Sequence, residues 1–121
     1  MVILDANMIL RYLLNDHQEM ANQAEQILNT GNAFVTLEVA AEVVYVLKSV
    51  YALERVEIAE TLKGFLELVD CHEMDVLKLS LDTFAKYKLD FVDCILYGYH
   101  SVKGIQVATF DKKLAKLIAE K

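Results

Sequence analysis

Four acidic residues, Asp5, Glu42, Asp93 and Asp111, occupy positions where a carboxylate can do chemistry. Asp5 ends the apolar run "MVIL", Asp111 follows "IQVATF", and Asp93 lies three residues after Asp90 in "KLDFVDCILYGY". Glu42 falls at the border of the apolar stripe in "LEVAAEVVYVL". Each has an ordinary structural reading. Asp5 suits the N-cap of the helix that follows it. Asp90 fits the N-cap of the next acidic helix, with Asp93 at N3, where a carboxylate also gains from the helix dipole. Glu42, if it leans toward the core, must be paired, protonated or bound to a cation, since an isolated buried charge is costly. Its structural alternative is a side chain snorkelling at the rim. Capping leaves the pattern over the whole chain unexplained, since three of the four acids lie where strand or loop meets helix. Gathered at one end of a sheet, they would repel one another. At roughly 4 Å the repulsion is about 1 kcal/mol in water and about 4 kcal/mol at an effective dielectric of 20, so such a cluster wants a cation. Donors that are all oxygen suit Mg²⁺ or Mn²⁺ rather than zinc. A divalent ion so held activates water for phosphodiester hydrolysis.

The elements that must position these acids are legible from apolar spacing. "MVIL" and "AFVT" read as short buried strands, "LVDC" and "IQVAT" as two more. Helical periodicity runs through Met8, Ile9, Tyr12 and Leu13, then through "QEMANQAEQILNTG", which stops near Gly31. Val39, Val43, Val46, Leu47 and Val50 trace one face of a third helix, and Ile58, Leu62 and Phe65 a fourth. "DVLKLSLDTFAKY", "FVDCILYGYHSV" and "KKLAKLIAE" complete the set. Short apolar strands separated by helices predict an α/β fold: a three-layer α/β/α sandwich with a central, mainly parallel sheet. In open sheets of this kind ligands bind beyond the carboxyl ends of the strands, where Asp5 falls.

Length and composition predict one domain spanning residues 1–121, with 55% apolar residues, no proline and four glycines. No run is long enough to span a membrane, and the N-terminus lacks the pattern of a secretory signal, so the expected location is the cytoplasm. Cys71 and Cys94 have no metal-ligand spacing and read as reduced, packed thiols. His17, His72 and His100 are scattered. The formal charge of −6, from eighteen acids and twelve bases, excludes binding nucleic acid mainly by a coat of lysine. The charge is uneven, however. Lys103, Lys112, Lys113, Lys116 and Lys121 crowd the C-terminal end, either as a solvated helix face or as a strip that steers phosphate.

"VILDANMILRYLLND", "VAAEVVYVLKSVY", "LDFVDCILYGY" and "VATFDKKLAK" together resemble the four successive motifs of PIN-domain nucleases, most closely the VapC-type toxins of toxin–antitoxin pairs. The resemblance covers essentially the whole chain. It implies a ribonuclease dependent on Mg²⁺ or Mn²⁺, with Asp5, Glu42 and Asp93 matching the acids that hold the metal and Asp111 the more variable fourth. Asn7 matches the polar residue that supports the first aspartate, Thr109 the hydroxyl residue before the last acid, and Arg11 a basic residue of the first helix. Asp90 is then the cap and Asp93 the ligand. The partners implied are an RNA substrate, a cognate antitoxin and a second copy of the chain, with no membrane. One departure is Ala6, where the family often carries Thr or Ser. A lost hydroxyl there weakens the support of Asp5.

Rival readings are a phosphoacceptor receiver domain, a non-catalytic PIN-like module that binds RNA, and an RNA-processing nuclease outside toxin–antitoxin systems. The first needs an acidic pair after strand one, and only Asp5 stands there.

Overall fold

The computed structural model describes residues 1–120. β1 (Val2–Ile3) leads into α1 (Ala6–Leu14), and α2 (Gln18–Asn29) precedes β2 (Ala33–Phe34). Then follow α3 (Leu37–Ser49), α4 (Arg55–Phe65) running into a 3₁₀ turn, α5 (Met74–Lys86), α6 (Phe91–Lys103) and α7 (Lys112–Glu120). The helix stops follow the punctuation in the sequence. Gly31 (φ +71°) ends α2 and Gly104 (φ +69°) ends α6, both in the left-handed region that glycine enters without strain.

β1 and β2 are parallel, Val2 opposite Ala33 and Ile3 opposite Phe34. On the far side of β2 a single residue, Asp70, takes the place of the expected "LVDC" strand, donating to Ala33 O and accepting from Val35 N, both at 2.9 Å. β2 is therefore flanked on both edges and buried, whereas Val2 and Ile3 are 41% and 63% exposed. The strand expected in "IQVAT" does not form among the described residues. After Gly104 the backbone turns so that His100 Nδ1, in its protonated tautomer, donates to Ile105 O at 3.0 Å. That carbonyl is engaged by a side chain instead of a neighbouring strand. The three-layer sandwich with a broad central sheet is thus not shown: the described chain is mostly helical, with a two-stranded parallel sheet at one side.

The core lies mainly between α3, α4, α5 and α6, where Leu47, Ile58, Val76, Leu77, Leu81 and Cys94 are almost wholly enclosed. The α5–α6 contact is close. A Cβ on Gly98 would sit 3.0 Å from Ser80 Oγ and 3.1 Å from Val76 O, so the two helix backbones pack at a distance only glycine allows without movement. Ser80 is buried with its hydroxyl donating to Val76 O at 2.7 Å, which satisfies a polar group that would otherwise be costly. The buried face of α3 keeps the expected Val43 and Leu47, with Val39 and Val46 partly buried against the core, and widens toward Ala40 and Val44. Ala40, Val43, Val44 and Leu47 face inward and Val50 is exposed. Alanines at 40 and 41 leave room for the helix to approach on either side, so the larger valines alone do not mark its axis of burial. No helix is long and apolar enough to cross a membrane among the described residues.

Candidate active site

Asp93 sits one turn inside α6, partly buried, and is the best-defined acid of the four. Burial holds its pKa above the ordinary aspartate range, and the nearby charges of Asp111 and then Asp90 push it the same way. The causes act together: a carboxylate deprived of water beside two others favours its neutral form, and a cation would reverse that preference. Asp90 occupies the N-cap position of α6, but its side chain makes no capping hydrogen bond. Asp90 is therefore a cap by position only. Asp90 acts on Asp93 as a charge.

Asp111 lies at the start of α7, where its Oδ1 accepts from Leu114 N at 2.8 Å. Its own N–H donates to Thr109 Oγ1 at 3.0 Å, so Thr109 fixes the backbone of Asp111. Asp5 caps α1 in the same manner, Oδ1 accepting from Met8 N at 2.8 Å. Both capping carboxylates use Oδ1 and leave Oδ2 for another partner. Asn7 is exposed on the first turn of α1. Arg11 turns to Asp16, its Nη1 donating to both carboxylate oxygens at 2.7 and 2.8 Å. The neighbouring Tyr51 does most to raise the Arg11 pKa, partial burial opposes it, and Asp16 adds to it. No hydrogen bond joins Arg11 to any of the four acids among the described residues.

Glu42 is exposed on α3, whose buried face widens toward Ala40 and Val44. The argument that a glutamate near the core must be paired does not apply to it. It makes no ion pair among the described residues.

The structure thus brings the charges of Asp111 and Asp90 to bear on Asp93. No cluster of three or more carboxylate, imidazole or thiol groups close enough to hold a metal ion occurs among the described residues. The cause is visible in the sheet. Asp5 follows β1 and Asp111 follows the segment 105–109, and without a ladder between these two the backbone sets no register that would place one acid against the other. The donor chemistry suits a hard divalent cation, and Asp93 is the acid on which the other charges act.

One contributor has no signature in the sequence. Arg55, at the first position of α4, donates from Nη1 to the carbonyls of Phe84, Tyr87 and Leu89 at 3.1, 2.7 and 2.9 Å. Its guanidinium lies over the Phe84 ring, 4.1 Å from the centroid, and Phe84 meets Phe91 edge to face at 5.6 Å. This clamp fixes the loop from which α6 starts, and with it Asp90 and Asp93. The partners are backbone carbonyls some thirty residues away, which spacing cannot reveal. The one available sign was a cation at a helix N-terminus, where the dipole disfavours it. Cys94, next to Asp93 in sequence, is enclosed and has its thiol pushed up to about 12, chiefly by burial, so it is inert.

A family model, PIN domain, matches residues 2–119. The chain belongs to the PIN domain family. Nothing among curated proteins or solved structures matches it. Membership carries a PIN-like α/β fold, and PIN domains are generally nucleases that use divalent metal ions. A hydrolase acting on nucleic acid is the activity this supports.

Proposed function

We propose that this PIN-domain chain is a metal-dependent endoribonuclease, the toxin of a VapC-type toxin–antitoxin pair, acting in the cytoplasm as a homodimer. The single observation that carries the catalytic part is the partly buried Asp93, pushed toward its neutral form by burial and by Asp111 and Asp90. A carboxylate kept at that cost is one suited to a cation. Asp93 and Asp111 would hold Mg²⁺ or Mn²⁺, with the free Oδ2 of Asp5 and the exposed carboxylate of Glu42 completing the set as they draw in. When bound, the ion supplies Lewis acidity at the phosphate and a lowered pKa for attacking water. The chain's own residues do the rest. Thr109 sets the Asp111 backbone, the Arg55 clamp sets the start of α6, and the helix N-termini of α1, α6 and α7 offer positive dipole ends beside a phosphate. The toxin assignment rests on the order and spacing of the four acidic motifs. The net charge of −6 suits an antitoxin segment rich in basic side chains.

The test is cleavage of total cellular RNA by the purified chain with Mn²⁺, with Mg²⁺ and with chelator, beside Asp93→Asn. Metal-dependent cutting that the variant loses is the expected result. A folded protein that cuts no RNA under any condition points to the non-catalytic RNA-binding alternative. A small antitoxin reading frame beside the gene would separate a toxin from an RNA-processing nuclease.

A further inference from the structure

Three shallow hollows join into one groove beside the acids. The first, about 340 Å³ between α3 and α6, is walled by Tyr45, Lys48 and Arg55 and reaches Asp90. The second shares Lys48 and Arg55 with it and adds Lys88. The third, about 250 Å³, shares Lys88 and continues along α7 past Tyr87, Lys113 and Lys116. The groove thus begins at the head of α6, one turn from Asp93, and ends on the helix that Asp111 caps.

Its chemistry differs from that of the rest of the surface. The chain as a whole has three acids for every two bases, yet four lysines face this groove against Glu54, Asp90 and Glu120. None of the four lysines forms an ion pair among the described residues, whereas Lys63 and Lys103 do. Their charge remains available to a ligand. Tyr45 is 68% and Tyr87 42% exposed, so both present an aromatic ring to solvent beside a lysine. Arg55 has a different part: its guanidinium is committed to the carbonyls of the 84–89 segment, and it thereby holds Tyr87 and Lys88 at the middle of the groove.

We infer that this groove is the track for a single-stranded RNA, with Lys48, Lys88, Lys113 and Lys116 contacting phosphates and Tyr45 and Tyr87 stacking bases along it, the end at Asp90 leading to Asp93. Unpaired cations alternating with exposed aromatic rings are the features by which proteins hold unpaired nucleic acid, since stacking needs bases free of a duplex. The inference deepens the nuclease reading and rests on it for the direction of the strand toward Asp93.

The experiment measures anisotropy of a labelled 15-nucleotide single-stranded RNA of mixed sequence against the full chain in chelator, over a range of salt. Lys48→Ala/Lys88→Ala/Lys116→Ala is expected to weaken binding at least about tenfold and to flatten the slope of log affinity against log salt by about 2. Tyr45→Ala/Tyr87→Ala weakens binding with the slope unchanged, and the corresponding Phe substitutions restore it. Lys63→Ala/Lys78→Ala/Lys103→Ala, equal in charge but off the groove, leaves both nearly as they are. Equal affinity and slope in the two lysine triples overturns the track, as does failure of the unaltered chain to bind the RNA, or binding that prefers the same sequence as a duplex. Hydrolysis of bis(4-nitrophenyl) phosphate with Mn²⁺ keeps the two readings apart. A chain that hydrolyses this small diester but binds no RNA loses the track and keeps the chemistry. One that binds RNA through the lysines yet hydrolyses neither substrate keeps the track and loses the nuclease.

Discussion

Asp93 rides on a helix tied to its neighbours through Arg55, Phe84 and the close Gly98 contact, whereas Asp5 leaves a short strand paired with β2 and Asp111 leaves the unpaired segment 105–109, each capping its own helix. The first region orders its acid by tertiary packing over a long sequence separation. In the second the carboxylates themselves are held by local hydrogen bonds, Met8 N for Asp5 and Leu114 N for Asp111, on elements anchored by the β1–β2 pairing and by the buried Leu4, Ala6 and Leu114. Local caps fix how each carboxylate sits on its own helix and say nothing about the distance between two helices. A site assembled from both regions therefore draws on acids whose mutual distances their own caps do not set.

The contrast is broken most severely at Arg55. Arg55→Ala removes the donor to three carbonyls and the contact with Phe84, and an expected loss of about 2 to 3 kcal/mol should appear in urea denaturation followed by circular dichroism. Arg55→Lys should recover less than half, since an ammonium cannot spread over the ring as the planar group does. A loss under 0.5 kcal/mol for Arg55→Ala, the size of an ordinary surface change, would mean the clamp does not hold the start of α6.

Next come two glycines of opposite sign. Gly98→Ala forces a methyl against Val76 O and Ser80, and is expected to destabilise by about 1 kcal/mol despite the helix propensity it gains. Gly64→Ala in α4 meets nothing within 4 Å and should stabilise by about 0.5 to 1 kcal/mol. The same sign at both positions would deny that the α5–α6 approach is as close as described.

A smaller effect concerns pH. Because the folded pKa of Asp93 is raised, the native chain holds that proton to a higher pH than the unfolded chain does. Metal-free stability should then fall as pH climbs from about 4, the unfolded value, through the folded one. Asp93→Asn should remove that fall and leave the variant more stable near neutrality by less than about 1 kcal/mol. Identical pH profiles for the two proteins would show that Asp93 does not feel Asp111 and Asp90. The smallest change is expected at Phe110, fully exposed before Asp111: Phe110→Ser should shift stability by no more than about 0.5 kcal/mol.

The sequence made most helices legible, because a 3.6-residue apolar period and a closing glycine act within one turn or two. It also made the cap at Asp5 legible, since a capping aspartate needs only the residues that follow it. The cap expected at Asp90 makes no side-chain hydrogen bond, and the one at Asp111 went unread. Three features escaped it. The strand expected at 105–109 depends on an edge elsewhere in the chain, and here Ile105 O goes to His100. The width of the buried face of α3, which takes in Ala40 and Val44 and leaves Glu42 in solvent, depends on which helices pack against it. Arg55 depends on carbonyls that carry no sequence identity at all. The PIN family match covers residues 2–119, so the order of the acidic motifs was informative even where the sheet between them was not.

The central claim, that acids from both regions act as one metal site, is tested most directly by Mn²⁺ binding, followed by electron paramagnetic resonance, on the unaltered chain and on Asp5→Asn, Glu42→Gln, Asp93→Asn and Asp111→Asn. The account predicts that each substitution weakens Mn²⁺ affinity at least about tenfold and that all four proteins remain folded. Loss confined to Asp93 and Asp111, with Asp5 and Glu42 indifferent, would contradict it and reduce the site to that pair.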